Sequence, residues 1–221
     1  VDGAGAKARG AGSGEREVQA LWNVAHIHGL FSHVADWPAT FPAESIAGVI
    51  LSDRAAVKTD ALAATPPKVA ASLERWRRMA EALYGDLFPG ERDGAPSDRL
   101  SAWATEQALR AGEADLLMVR LRRVDRTSHR LWKYFEPEFY PSARELGWEY
   151  EAQEFYESYV AVDAAVGRLL ASLPQEGHVV VLSAHGFKGI PESTALKCSL
   201  APVLESLGHL AVFAGEPEWR Q

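Results

Sequence analysis

The spacing of apolar residues changes along the chain between a helical period and short continuous runs. Apolar residues three and four apart indicate helices at about 15–28, 68–84, 98–111, 144–173 and 194–207. Continuous apolar runs indicate short strands at 30–35, 49–51, 115–121, 178–183 and 210–214. This alternation predicts an α/β fold, a three-layer α/β/α sandwich around a mainly parallel sheet.

The first fourteen residues differ from the rest, because nine of them are glycine or alanine. Such a segment offers too little apolar surface to offset the entropy of ordering it. We therefore predict a flexible tail over residues 1–14 and one α/β domain over residues 15–221.

The composition excludes several classes of protein. Apolar residues make up 47% of the chain, enough for a sizeable core, and no window approaches a membrane span or a targeting segment. The formal charge of −7 opposes binding to nucleic acid and to anionic lipid through the net field. The single cysteine, Cys198, excludes both an intramolecular disulfide and a thiolate zinc cluster. Any metal would therefore be held by Asp, Glu and His. The compartment and the oligomeric state are not readable from the sequence.

Two polar clusters follow the strongest predicted strands, where the carboxyl ends of parallel strands form ligand sites. Asp125 and His129 follow the strand at 115–121 and are four residues apart, so on a helix they project from one face. They could share a divalent metal, or be a solvated or capping pair. His185 follows the strand at 178–183 and precedes Gly186. It could face a ligand, or be a buried turn histidine bonded to the backbone.

Three separated motifs together resemble a known family. They are the segment from Asp125 to Tyr134, the segment Leu182-Ser183-Ala184-His185-Gly186-Phe187, and the segment Trp37 to Glu44 with Gly48 and Ser52-Asp53-Arg54. In this order they are similar to the type I phosphodiesterase and nucleotide pyrophosphatase group of the alkaline phosphatase superfamily. The resemblance runs from about Leu21 to Phe187 and implies an alkaline phosphatase-like fold.

The resemblance also implies a two-zinc site and a small phosphate-ester substrate. In such a site a threonine or serine attacks phosphorus, and two cations stabilise the attacking and leaving oxygens. Carried over by position, Asp125 and His129 match ligands of the first metal, and His185 matches a ligand of the second. His209 is the candidate for the third ligand of the first metal, although its surroundings are equally typical of a turn into a strand.

The chain departs from the family pattern at two points. Ala184 stands where the family has an aspartate, so the second metal position loses an anionic ligand. The family's opening strand and nucleophile have no counterpart here, so we expect the N-terminal part of the domain to be missing and identify no catalytic nucleophile. Thr40 matches a loop motif, and we interpret it as a turn residue bonded to its own backbone.

Other histidine, aromatic and arginine residues could have functional roles, but packing, exposure or salt bridges explain them more simply. His26, His28 and His33 lie on different faces, which indicates ordinary packing or exposure. The aromatic residues Trp132, Tyr134 and Phe135 could line a pocket or belong to the core. The basic run at Arg120, Arg122 and Arg123 could bind phosphate, or form an exposed edge or a salt-bridged face.

Two functions follow from these observations. The first is a metal-dependent hydrolase of phosphate esters, a phosphodiesterase or nucleotide pyrophosphatase whose activity is impaired or lost in this chain. The alternative is a non-catalytic, degenerate member of the family, a pseudoenzyme that acts as a binding or scaffold module.

Overall fold

The computed structural model describes residues 12–58, 60–136, 138, 140, 149–189, 210–213 and 216–219. These residues divide into two compact units, residues 12–189 and the two strands between 210 and 219. Within the described part of the chain, no helix is both long and apolar enough to cross a bilayer. The prediction of one domain over 15–221 stays a prediction.

The described residues form six helices and six strands, which are numbered in chain order. The helices are α1 (Leu21–Ile27), α2 (Pro67–Ala70), α3 (Leu73–Tyr84), α4 (Ala95–Ala111), α5 (Arg123–Phe135) and α6 (Glu149–Ala171). The strands are β1 (Ser32–Trp37), β2 (Gly48–Ser52), β3 (Ala64–Thr65), β4 (Leu116–Val119), β5 (Leu210–Phe213) and β6 (Glu216–Trp219).

The sheet of the larger unit has the strand order β3-β2-β1-β4. Strand β1 pairs in parallel with both β2 and β4, while the short β3 runs antiparallel to β2. Gly48 opens β2 at a φ of 140°, and a Cβ there would lie 1.9 Å from the carbonyl oxygen of Ser32. Glycine therefore permits the close approach of β2 to β1. Strands β5 and β6 form a separate antiparallel pair.

Helices cover both faces of this sheet. Val34 of β1 and Ile50 of β2 are fully buried on one face and belong to a cluster with Trp22 of α1. The next residue in each strand, Ala35 and Leu51, points to the opposite face and joins a larger cluster built from α3, α4 and α6. The predicted three layers and mainly parallel sheet are thereby confirmed.

Several predicted element boundaries differ from the observed ones. The helix predicted over 68–84 is two helices, because the chain turns at Ala71 and Ser72 between α2 and α3. Helix α4 begins at Ala95, after Gly94 in the left-handed region, rather than after Ser97. The helix predicted over 144–173 is observed as α6, and the helix predicted over 194–207 lies outside the described residues.

The prediction of a strand over 178–183 is wrong. The segment has no strand structure, and its apolar side chains are exposed: Val180 at 78%, Val181 at 81% and Leu182 at 70%. Its apolar run has the composition of a buried strand, but a strand also needs a neighbouring backbone to pair with. In the described residues, β4 is the last strand of the sheet on this side and pairs only with β1.

The end of the predicted tail is also structured. Ser13–Glu15 form a 3₁₀ turn, and Ser13 N donates to Phe41 O at 2.9 Å while its hydroxyl donates to Pro42 O at 2.6 Å. Residues 12–14 therefore contact the loop after β1, which the glycine-rich composition did not indicate.

The burial of His33 confirms that it is a packing residue. The side chain lies in β1, is 3% exposed, and places Nε2 3.3 Å from the hydroxyl of Thr105 on α4. Burial lowers the pKa of His33 from 6.5 to about 4, because the charged imidazolium would lose its hydration there. His33 is therefore neutral in the folded protein over most of the acidic range.

We expect His33 to make the protein less stable as the pH falls. Between pH 6.5 and about 4 the unfolded state binds a proton at His33 that the folded state does not. The free energy of unfolding should fall by about 3 kcal/mol across that window from this group alone. Urea titrations at a series of pH values should show a smaller acid loss in His33→Gln than in the wild type. His28→Gln, at an exposed histidine, should keep the wild-type profile. Equal acid losses in all three proteins would contradict the assignment.

Candidate metal centre

Helix α5 carries Asp125 and His129, and Asp98 of α4 fixes where this helix begins. One carboxylate oxygen of Asp98 accepts a hydrogen bond from Arg122 N at 2.7 Å, and the other accepts one from Arg123 N at 2.8 Å. Asp98 is fully buried, and burial raises its pKa to about 7 against the opposing effect of these two donors. The cap sets the position of the helical turn that contains Asp125.

A buried ion pair ties the same turn to the sheet. Arg122 binds both carboxylate oxygens of Asp36, at the end of β1, and donates to Asp53 O at 2.7 Å. Arg120 adds a longer contact to Asp36, at 3.3 Å. Burial raises the pKa of Asp36, and the guanidinium groups of Arg122 and Arg120 act in the opposite direction. For Arg120 and Arg122 this confirms the salt-bridged face rather than a phosphate-binding run.

The three side chains singled out from the sequence lie together. Asp125 Oδ1 is 3.5 Å from His129 Nε2, across one turn of α5, and 3.8 Å from His185 Nε2, sixty residues later in the chain. All three side chains are about half exposed or more: Asp125 at 48%, His129 at 66% and His185 at 59%. The carboxylate and both imidazoles therefore converge at the carboxyl edge of the parallel strands, open to solvent.

His185 reaches this position through aromatic packing and not through a strand. Phe187 stacks on Trp132 of α5 with ring centroids 5.4 Å apart and meets the His129 ring edge-on at 4.9 Å. Glu136 accepts hydrogen bonds from Trp132 Nε1 and from Gly189 N, both at 2.8 Å. These contacts hold residues 185–189 against α5. They also show that Trp132 belongs to a packed cluster, in which Phe155 of α6 lies 5.5 Å away.

The orientation of the His185 ring suits a cation beside Asp125. His185 Nδ1 lies 3.1 Å from the carbonyl oxygen of Gly186, and in the Nδ1–H tautomer it donates to that oxygen. Nε2 then presents a lone pair toward a carboxylate oxygen, and two acceptors that face each other need a proton or a metal ion between them. A carboxylate with two imidazoles is a donor set typical of zinc.

The distances among Asp125, His129 and His185 are nevertheless not all short enough for one bound ion. Two ligands of a tetrahedral ion at about 2.1 Å are about 3.4 Å apart, close to both Asp125 distances. The centroids of the His129 and His185 rings are 6.4 Å apart, wider than the roughly 5 Å that two imidazoles on one such ion require. Accordingly, no group of three or more His, Cys, Asp and Glu side chains among the described residues is ready to hold a metal. To bind one ion, the two exposed imidazoles would need rotamer changes that bring their rings about 1 Å closer together.

The residues that shape the adjacent cleft were not predicted from the sequence. The cleft has a volume of about 510 Å³ and is lined by Asp93, Asp125, Arg126, His129 and Arg130. Arg130 binds Asp93 and also Glu154 of α6, 2.6 Å away, and both carboxylates raise its pKa. Asp93 lies in a loop and Glu154 on a distant helix, so no spacing along the chain indicated either contact.

The remaining candidates have separate outcomes. Ala184 precedes His185 in an exposed segment, and its methyl group offers no ligand. His209 lies outside the described residues. Thr40 donates to Trp37 O at 2.6 Å and accepts from Asp53 N at 3.0 Å, which confirms its interpretation as a turn residue. His26 Nδ1 accepts from Ala47 N at 2.8 Å, a structural contact.

The fold and the cluster define an α/β protein with its polar site at the carboxyl edge of a mostly parallel sheet, consistent with an alkaline phosphatase-like fold. A family model described as type I phosphodiesterase / nucleotide pyrophosphatase matches residues 7–215. The chain therefore belongs to this family, which is generally metal-dependent, and membership supports a phosphate-ester hydrolase kind of function. No curated protein and no solved structure matches the chain.

Proposed function

We propose that this chain binds one divalent cation, zinc or manganese, through Asp125, His129 and His185, and uses it to hydrolyse phosphate esters of the phosphodiester class. The observation that carries the proposal is the convergence of both imidazoles within 3.8 Å of one oxygen of Asp125. Family membership supplies the class of reaction.

The chain's own residues supply binding and orientation. Asp98 and the Asp36–Arg122 pair fix the first turn of α5, and the Phe187–Trp132 stack fixes the segment that carries His185. When bound, a divalent cation would stabilise the charge that develops on a phosphoryl oxygen and lower the pKa of a water molecule. The three side chains are about half exposed or more, so a substrate could reach them from the solvent side.

A non-catalytic binding module is the second candidate, and Ala184 is the observation that favours it. The aspartate that the family pattern places there would bring a second carboxylate next to His185. Without that aspartate, the trio contains one carboxylate and two imidazoles. A second ion would therefore find no carboxylate at position 184.

Hydrolysis of bis(p-nitrophenyl) phosphate separates the two candidates. We expect slow turnover that requires added zinc or manganese and falls at least about tenfold in His129→Gln, because one of three ligands is lost. His178→Gln, which alters an exposed histidine outside the cluster, should keep wild-type turnover. Turnover at the level of buffer alone, with the metal bound, would favour the non-catalytic candidate. Metal-independent turnover would contradict the proposal.

A further inference from the structure

The cleft beside the three candidate ligands contains two guanidinium groups in different electrostatic situations. The charge of Arg130 is neutralised, because its guanidinium binds both Asp93 and Glu154. Arg126 lies one turn earlier on α5, lines the same cleft, and is exposed. In the described part of the chain its side chain contacts no carboxylate, carbonyl or hydroxyl acceptor.

The two arginines at the start of α5, Arg122 and Arg123, already have partners. Arg122 binds Asp36, and Arg123 donates to Pro89 O at 3.0 Å. Two backbone donors at the start of α5, Arg122 N and Arg123 N, are taken by Asp98. Among the described residues that line the cleft, Arg126 therefore has the guanidinium that is without a partner and can turn toward an anion. This matters because the whole chain carries a formal charge of −7 and does not attract anions through its net field.

We propose that Arg126 is the anion-binding residue of the cleft and holds a phosphate oxygen of the substrate beside Asp125 and His129. On α5, residues 126 and 129 are three apart and share one side of the helix, so the guanidinium and the His129 imidazole border the same space. A guanidinium suits this task because its planar fork donates two parallel hydrogen bonds to one phosphate. That the bound phosphate belongs to a substrate rests on the proposed function. Phosphate binding by Arg126 itself can be measured without the metal.

Two titrations of the full chain test this inference, one of inorganic phosphate into the metal-free protein at low ionic strength and one of zinc without phosphate. We expect Arg126→Gln to weaken phosphate binding about tenfold, as expected for loss of a charge-assisted bidentate contact, and to leave zinc binding unchanged. Arg126→Lys should retain part of the phosphate affinity, since it keeps the charge without the fork. Arg75→Gln, at an exposed arginine of α3, should bind phosphate as the wild type does.

The outcomes separate the two proposals. Asp125→Asn should lose zinc binding without weakening phosphate binding, because the carboxylate repels the anion instead of binding it. If zinc does not bind the wild type while Arg126→Gln still weakens phosphate binding, the proposed function fails and the inference stands. If Arg126→Gln binds phosphate as tightly as the wild type, or if Arg75→Gln loses as much affinity as Arg126→Gln, the inference is overturned.

Discussion

Replacing Asp36 by asparagine should lower the free energy of unfolding by about 3–5 kcal/mol, the usual cost of leaving one partner of a buried ion pair alone. Asp36 is 3% exposed and accepts hydrogen bonds from both Arg122 and Arg120. Asparagine keeps the size of the side chain and tolerates the left-handed backbone at this position, where φ is 58°. The variant therefore removes the charge with little added backbone strain.

Chemical denaturation followed by circular dichroism measures this effect. Asp86→Asn makes the same chemical change at an exposed position and should stay within about 0.5 kcal/mol of the wild type. Because Arg122 precedes α5, the Asp36 variant should also show altered NMR signals in the first turn of α5. A stability loss below about 1 kcal/mol would mean that the pair does not hold β1 to α5 as described.

Replacing Asp125 by asparagine should weaken zinc binding at least about 100-fold. Asp125 is the shared neighbour of both imidazoles and the one anionic group in the trio, and a neutral amide oxygen is a much poorer ligand for zinc. The fold should survive the change, since the Asp125 side chain is 48% exposed.

Isothermal titration calorimetry with zinc measures the loss, with Asp163→Asn as the matched control. Asp163 is an exposed carboxylate on α6 that does not line the cleft beside the trio, so its variant should bind zinc as the wild type does. If both variants bind zinc with wild-type affinity, the ion is held elsewhere on the chain.

Much of the fold could be predicted because most of its helices and strands follow the local spacing of apolar residues. The runs that became β1, β2 and β4, and the periodicity of α4 and α6, are readable from a few consecutive residues, whereas α5 was not predicted. The segment at 178–183 is the exception among the predicted strands. Its apolar run is typical of a buried strand, yet strand formation depends on a partner that the local sequence does not specify.

The candidate site was predictable in part for the same reason. The spacing of Asp125 and His129 is a property of one helix, and the structure places them 3.5 Å apart. His185 was expected nearby because a strand would deliver it, but the Phe187–Trp132 stack and Glu136 hold it there instead. The pairing of Asp36 with Arg122 spans 86 residues, and no local signal in the sequence connects them.

The position of zinc in crystals of the zinc-loaded protein, located by anomalous scattering, tests the central claim most directly. We expect one ion within about 2.0–2.2 Å of a carboxylate oxygen of Asp125 and of one ring nitrogen from each of His129 and His185. An ion bound by other residues, or the two histidines turned away from Asp125 in the loaded protein, would contradict it.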